Sequence, residues 1–563
     1  MIRATFSGFN TALSAIQANQ KRLDITGQNL SNMNTTGYTR QALVTSSLNY
    51  SGPISQYMTG AGIQVGFGVA MDKVTQIRDP FLDAQYRGQM EKAGYTDSMQ
   101  TSLDSLAKVL DESSIKGIRQ AFDNIQSTLT NLADPAKTND AVFESELRAR
   151  MEDLANLLNN SAAQIEKAAG QEFERLDGTG TNENGAMQKV NDILRQIGEL
   201  NRQIKHNQIF DQPSLELMDQ RNVLLDELAG YIPIEVKYQK DANHADDPDW
   251  PEDLYVHMNY YQDGLLVDPP LTLISGTEGA GPQNYGQMNI NKGADPDHPY
   301  LNTTATFTAA PITGQNDVTI SSANGAAANK NTFRGGSIQS SLDMLGGAVD
   351  TSHTPAGIEA DIQVHGYQYY INHLDNLAYS FATIMNEMNK LGNNNAPDAF
   401  LLVNKNDGTT AGITASTIGI NQKWADGTVT LGKGISADGN NANDTALAML
   451  KAMSLTYPTN QVNDPTNRYQ GVDLGNKTFA GYMNNISTIL ATDSAMNQSN
   501  LKTNVTVLNG IQDSRDSLSG VSLDEEAANM MTFMAAYNAA SRLMTTMDEA
   551  LNTLINSTGL VGR

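Results

Sequence analysis

The chain is 563 residues long, too long for one hydrophobic core, and this length indicates about three or four domains. It carries 62 acidic and 37 basic residues, a formal net charge of −25, which disfavours nucleic acid and anionic lipid as partners. It contains no cysteine, which excludes disulfides, thiolate metal sites and cysteine nucleophiles.

The N-terminal residues do not resemble a secretory signal. Residues 1–10 lack the apolar core of roughly 7–15 residues and the small-residue cleavage site that a signal peptide needs. No stretch of about 18 consecutive apolar residues occurs anywhere in the chain. We therefore expect export, if it occurs, to proceed without a cleaved signal, and we expect no membrane-spanning segment.

The first thirty residues have a heptad pattern. Steps of four and three residues connect Ile2, Phe6, Phe9, Leu13, Ile16, Gln20, Leu23, Gly27 and Leu30. Apolar residues at such spacing predict a helix with a coiled-coil seam, which Gln20 and Gly27 weaken.

The last forty residues carry a second heptad pattern. It connects Leu523, Ala527, Met530, Met534 and Tyr537, and after one extra step of three it continues through Ala540, Met544, Met547, Leu551 and Leu554. The extra step predicts a local overwinding. Residues 1–40 have four basic and one acidic residue, whereas residues 522–563 have two basic and five acidic ones. We therefore expect the two terminal helices to pair with each other as a coiled coil.

The interior of the chain is predicted to be mainly helical. Apolar residues recur at helical spacing in 118–132, 147–165, 190–204 and 215–228, which indicates long antiparallel helices in an elongated bundle. Short β-rich runs broken by Pro, Gly, Asp and Asn replace this pattern from residue 232.

Helical spacing returns after the β-rich region. It is clear in 338–345 and 370–388, and a Gly/Asn-rich stretch at roughly 393–443 interrupts it before helices resume towards residue 507. We predict an elongated, mainly α protein with an inserted all-β domain. The predicted domains are a terminal domain (1–40 with 522–563), a helical domain with some β structure (41–231 with 336–521) and an outer β domain (232–335).

The segment that follows the first helix is rich in turn-forming residues. The side chains of Asn29, Asn32 and Asn34 can cap or turn a helix end, and Gly37 can adopt a positive φ. Tyr38 can anchor the strand that follows. On composition alone, this segment could also be an ordinary helix C-terminal turn.

This segment resembles a known family. Residues 23–38 (LDITGQNLSNMNTTGY) resemble the N-terminal signature of the rod, hook and hook-associated proteins of the bacterial flagellar axis. Residues 519–529 (SGVSLDEEAAN) and 537–541 (YNAAS) resemble the matching C-terminal end of the hook-associated members. Residues 215–228 (LELMDQRNVLLDEL) and 335–342 (GGSIQSSL) are similar to internal segments of those members. Thr36 departs from the proline of many relatives, as do Ser31 and Met33 from their alanines.

The resemblance implies a structural role at the hook–filament junction. It implies hook protein and a second hook-associated protein as partners, self-association in a ring around the flagellar axis, and a cytoplasmic export chaperone at the C-terminal helix. It also implies an extracellular location after flagellar type III export. The expected N-terminal interface residues are Phe6, Phe9, Leu13, Ile16, Leu23, Asn29, Leu30, Asn32, Asn34, Gly37 and Tyr38. The expected C-terminal assembly and chaperone interface residues are Leu523, Met530, Met534, Tyr537, Met544, Met547, Leu551 and Leu554.

Patterns that suggest chemistry are incomplete. Residues 427–434 (GTVTLGKG) nearly form a phosphate-binding loop, but Gly434 replaces the Ser or Thr that would hold magnesium. His353, His365 and His373 do not form a His-Glu-x-x-His zinc motif. The acidic run 241–253 is best interpreted as a solvated loop, although weak calcium binding stays open. We expect no catalytic, cofactor-binding or metal site, and hence no enzyme.

Two alternatives remain on the sequence alone. The chain could be a hook or distal-rod protein, because those proteins share the N-terminal signature. It could also be a secreted enzyme or adhesin displayed on axial-type termini, with its activity in the β insert. The helix predicted at 215–228 disfavours the first, and the absence of a catalytic motif in 232–335 disfavours the second.

Overall fold

The computed structural model describes most of the chain. The described residues are 7–48, 68–110, 112–134, 141–178, 185–210, 212, 214–240, 244, 246, 250–276, 284–296, 298–311, 314–322, 330–346, 364–434, 444–457 and 472–558. Phe6, His353 and most of the acidic run 241–253 lie outside these ranges, as does the side chain of Leu554.

Helices dominate the described residues. In chain order they are α1 (Ser7–Ser31), α2 (Pro80–Val109), α3 (Glu112–Leu132), α4 (Ala141–Asp177), α5 (Ala186–Ile209), α6 (Leu215–Tyr231), α7 (Ser337–Leu345), α8 (Tyr367–Gly392), α9 (Gln422–Ala425), α10 (Asp444–Ser454), α11 (Phe479–Ser519) and α12 (Leu523–Thr558). α1 packs along α12, and α2 packs along α11.

The strands are short. They are β1 (Gln41–Ser47), β2 (Val69–Gln76), β3 (Ile234–Gln239), β4 (Asp253–Met258), β5 (Tyr261–Gln262), β6 (Leu265–Leu266), β7 (Leu271–Ile274), β8 (Gln287–Asn291), β9 (Thr304–Thr308), β10 (Val318–Ile320), β11 (Asn331–Thr332), β12 (Leu402–Asn404) and β13 (Ile418–Ile420). The prediction of a mainly helical protein with some β-sheet is therefore confirmed.

The region predicted to be β-rich contains only strands among its described elements. One sheet has the order β3-β4-β7, and the other has the order β6-β5-β11-β10-β9-β8. Only β10 and β11 run parallel within them. The inward residues of β4, β7, β9 and β10 alternate with outward ones or form short buried runs, so these sheets bury one face on the core.

The largest core lies in the body of the molecule, which we define as the described residues 80–519. Phe122 contacts Phe381 edge-on and stacks on Phe479, with ring centroids 5.5 Å apart in each pair. These rings bring α3, α8 and α11 together. Apolar residues at the predicted helical spacing, such as Ile125 and Leu158, are fully buried here.

Helix α2 has no counterpart among the sequence predictions. Its start is well defined, because Asp79 accepts a hydrogen bond from the Phe81 backbone N–H and Pro80 occupies the first turn. However, most of its buried side chains are polar, and they include Asp83, Arg87, Gln89, Thr96, Ser98 and Ser102. A helix that buries polar groups lacks the apolar periodicity by which sequence analysis recognises helices.

The Gly/Asn-rich stretch is also more ordered than the sequence suggested. Over its described residues it forms the β12–β13 hairpin and the short helix α9. Trp424 of α9 is fully buried, and its indole N–H donates to Glu144 Oε1 at 3.0 Å. This stretch is therefore packed onto α4.

Candidate assembly interface at the chain termini

Helices α1 and α12 are both formed, and they pair antiparallel within one chain. A Cβ atom at Gly8 would overlap the Met547 side chain, and the Arg22 guanidinium lies 5.5 Å from the Phe533 ring centroid. Asn29 donates to Glu526 at 3.3 Å. From contact to contact, each advance of two heptads or one heptad along α1 is matched by an equal retreat along α12. The pairing therefore has one continuous register.

The residues of α1 that face α12 are not those predicted. The three contacts use Gly8, Arg22 and Asn29, and the buried positions on this face are Gly8, Ala12, Asn19, Thr26 and Asn29. These small and polar residues follow their own alternation of four and three. The expectation that the apolar seam of α1 pairs with α12 is therefore wrong, because small residues allow a closer approach of the two helices.

The predicted apolar seam of α1 remains accessible. Phe9, Ile16, Leu23 and Leu30 are half-buried, and Leu13 is 46 % exposed. We call these five residues the outer stripe of α1. Strands β1 and β2 pack beside α1 and cover part of its surface, for example where Arg22 donates to Thr45 Oγ1 at 2.9 Å.

On α12 the prediction is partly displaced. The buried or half-buried residues in regular heptad steps are Glu526, Met530, Phe533, Tyr537, Ala540, Met544, Met547 and Leu551. Leu523 and Met534 instead are 54 % and 51 % exposed. The actual stripe needs no extra step of three, so the predicted overwinding is wrong. The error arises because Met534 and its neighbour Phe533 are both apolar, and the sequence alone does not show which of them is covered.

Asn29 organises the segment that follows α1. Its amide oxygen accepts from Tyr38 Oη at 2.9 Å and from the Gln41 backbone N–H at 3.0 Å. Its amide nitrogen donates to the Gln41 carbonyl at 3.0 Å and to Glu526. The side chain is 1 % exposed, so these bonds are shielded from water. One amide therefore connects α1, the start of β1 and α12.

Tyr38 keeps its proton under physiological conditions. Burial raises the pKa of Tyr38 to about 12, and the carboxylates of Glu216, Asp219 and Glu526 contribute to this rise. The hydroxyl therefore stays a donor to Asn29.

The other predicted turn residues have separate environments. Asn32 is half-buried and donates to the Gln28 carbonyl at 3.0 Å, whereas Asn34 is exposed. Gly37 has φ +79°, and a Cβ atom there would overlap Val223 of α6. A glycine is therefore required at this position by both the backbone and the close contact.

The charge difference between the two ends is used locally. Arg40 binds Glu525 and Glu526 of α12, with N–O distances of 2.9 Å in both pairs. The Arg40 backbone N–H also donates to the Ser519 carbonyl at 2.9 Å. Sequence analysis identified the charge balance of the ends but not these pairs.

The histidines have structural partners. His365 Nδ1 lies 2.6 Å from Asp493 Oδ2, and His373 Nδ1 contacts the Tyr482 hydroxyl. Burial lowers the pKa of His373 to about 4, so this imidazole is neutral at pH 7. Within the described ranges, no group of three or more His, Cys, Asp or Glu side chains is arranged to hold a metal ion. No helix in those ranges is long and apolar enough to span a membrane.

The family comparisons match both ends and the interior. The family of flagella basal body rod protein matches residues 9–39, and the family of flagellar basal body rod FlgEFG protein C-terminal matches residues 514–557. The flagellar hook-associated protein FlgK helical domain matches residues 103–246. The terminal matches cover the paired helices.

Similar whole proteins carry one description. The flagellar hook-associated protein 1 of Bacillus subtilis is 27 % identical over 569 residues, which cover 100 % of both chains. That of Escherichia coli is 26 % identical over 236 residues, covering 41 % of this chain and 39 % of the relative. The flagellar hook junction protein FlgK from Burkholderia pseudomallei is a solved structure with 18 % identity and a TM-score of 0.36, covering 55 % of this chain and 44 % of that one. This TM-score is too low to establish a shared fold. The matches to axial proteins at both ends, to the FlgK helical domain between them, and to a relative over its full length show that the chain belongs to the flagellar hook-associated protein 1 family.

Proposed function

We propose that the protein is a non-enzymatic structural component of the bacterial flagellum that joins the hook to the filament. The observation that supports this most is the relationship to the Bacillus subtilis protein along the whole of both chains. The relatives described above are all named flagellar hook-associated proteins, and the chain shares their family.

The assembly surface in this proposal is the outer stripe of α1. It faces away from α12, whose contacts with α1 use the opposite face of that helix. Apolar side chains at heptad spacing gain free energy when another helix covers them. We propose that the covering helix is a terminal helix of the adjacent copy, so that identical contacts repeat as a ring around the flagellar axis.

Helix α12 contributes a second accessible apolar surface. Leu523, Met531, Met534 and Leu543 are each exposed by more than two fifths. Methionine side chains adapt to differently shaped partners. We propose that a cytoplasmic chaperone covers these residues before flagellar type III export, and that neighbouring subunits cover them afterwards.

The remaining partners follow from the junction role. One end of the ring would contact hook protein, and the other would contact the second hook-associated protein, which leads to the filament. The sheets of residues 232–335 would form the outer domain of the three proposed from the sequence.

The test is deletion of the gene in the host bacterium. Electron microscopy should then show bare hooks on the cells, and a blot of the medium should show unassembled filament protein. Hookless cells would instead assign the protein to the rod or hook. Normal filaments would contradict the proposal and direct attention to an activity of the β insert.

A further inference from the structure

The connection between the terminal unit and the body has no apolar core. We define the terminal unit as the described residues of 7–79 and 520–558. Within the described chain, no apolar residue between Ile25 and Ala93, or between Leu490 and Ala540, is buried. The two parts are therefore connected through polar contacts.

Helix α6 supplies the contacts to the terminal unit from its first turns. Asp219 accepts from the Thr39 backbone N–H at 3.1 Å and from the Thr39 hydroxyl at 2.7 Å. The Gln76 amide donates to the Leu215 carbonyl at 2.9 Å. Thr39 precedes β1 and Gln76 ends β2, so α6 holds both ends of this hairpin that join the body.

The last turns of α6 supply contacts to two helices of the body. Asp226 pairs with Arg87 of α2 at 2.8 Å and with Arg515 of α11 at 2.9 Å. Arg515 also pairs with Asp83 at 3.2 Å, and its guanidinium lies 4.3 Å from the Tyr86 ring centroid. Arg515 lies four residues before the end of α11, where the chain passes into the terminal unit.

One chain of charges connects these two groups of contacts. Arg78 pairs with Asp83 at 2.5 Å and lies 3.9 Å from Asp219. These side chains are at most one-sixth exposed. We call the set the α6 clamp, and it consists of Arg78, Asp83, Arg87, Asp219, Asp226 and Arg515.

A cleft lies beside the clamp. It has a volume of about 910 Å³, and its walls include Thr36 and Tyr38 of the terminal unit and Tyr86, Met90 and Glu227 of the body. A closely packed interface would fill such a space with side chains. The cleft therefore leaves room for the two parts to move relative to each other.

We propose that the α6 clamp is a releasable joint that fixes the angle between the terminal unit and the body. When its ion pairs break, the terminal unit turns about residues 35–40, 77–79 and 519–522, and both parts stay folded. Segments with few buried apolar contacts open at lower free energy than the core does, which favours release at this place. The proposal concerns the isolated chain and does not depend on the junction role.

The test uses single-molecule energy transfer on the full chain. Because the chain contains no cysteine, Glu152→Cys on α4 and Glu549→Cys on α12 would carry the two dyes specifically. Both residues are exposed. The parent should show one narrow distance distribution. Asp226→Asn removes the charge that pairs with Arg87 and Arg515, and it should broaden that distribution or add a second distance.

Two further variants complete the design. Asp192→Asn removes an exposed ion pair with Arg195 on α5 and should leave the distribution unchanged. Thr39→Val removes the hydroxyl donor to Asp219 without changing any charge, and it should also broaden the distribution. Both tryptophans, Trp250 and Trp424, lie in the body, so their fluorescence reports whether the body remains folded.

The outcomes distinguish a joint from other structures. A broadened distribution with unchanged tryptophan fluorescence in both Asp226→Asn and Thr39→Val would support the proposal. An unchanged distribution in both variants would overturn it, as would a broad distribution in the parent. Loss of the native tryptophan signal in both variants would also overturn it, because the clamp would then maintain the body itself.

Discussion

At the residue scale, the terminal unit depends on polar side chains that make several contacts each. Asn29 uses both of its amide atoms twice, and Arg40 binds two carboxylates and a carbonyl. Such residues replace the apolar core that this unit lacks. Their substitution leaves buried partners unsatisfied, which costs more than the loss of one average hydrogen bond.

Asn29→Ala tests this dependence. The change leaves the Tyr38 hydroxyl and both backbone groups of Gln41 without their partner, and we expect it to destabilise the terminal unit by about 2–3 kcal/mol. Hydrogen exchange should become faster in α1 and α12 but not in α8. Asn34→Ala is the control, since Asn34 is exposed in the same segment. Equal exchange in the two variants would show that Asn29 does not hold these elements together.

At the element scale, close backbone contacts determine how the body is connected. The segment that returns the chain from the β region contains Gly336, which has φ +82°. A Cβ atom at this position would overlap the Tyr231 carbonyl oxygen at the end of α6. The backbone N–H of Gly336 donates to the Glu91 carbonyl at 2.9 Å. The resemblance at residues 335–342 therefore coincides with a site where α2, α6 and α7 meet.

Gly336→Ala should destabilise the body. We expect a loss of about 2–4 kcal/mol, because the new side chain combines a strained φ with a backbone overlap. Urea unfolding followed by tryptophan fluorescence would measure it.

The matched control is Gly88→Ala in α2. Gly88 is exposed and lies inside a helix, and a Cβ atom added there would have nothing within 4 Å. Alanine there should stabilise the protein by about 1 kcal/mol. If Gly336→Ala unfolded at the same urea concentration as the parent, the close contact with Tyr231 would not matter to stability.

At the scale of the whole molecule, the terminal unit and the body are stabilised differently. The body buries aromatic and aliphatic side chains of α3, α4 and α8, whereas the terminal unit buries small and polar ones. Its outer stripe of α1 leaves apolar surface for neighbours. A monomer with this surface exposed gains stability when another helix covers it.

Leu13→Asp tests the assembly surface. Leu13 is 46 % exposed, so the monomer tolerates the change, but a carboxylate cannot be buried against an apolar neighbour without a large cost. In the deletion strain, this variant should be exported and should fail to restore filaments. Leu265→Asp is the control, because Leu265 is 76 % exposed on the β6 edge of the outer sheet. Filament restoration by both variants would contradict the assignment of the outer stripe to subunit contacts.

The sequence by itself determined the positions of the amphipathic helices, the change to strands after residue 231 and the family of the chain. These features depend on local periodicity and on short motifs, which need no knowledge of contacts across the fold. Periodicity shows that a stripe such as Leu13 and Ile16 favours burial, but it does not show which partner covers it.

Only the tertiary structure decided that Ala12 and Thr26, not this stripe, face α12. It alone revealed α2 and the contacts of Asp219 and Asp226, because buried polar residues look like surface residues in a sequence until their partners are known.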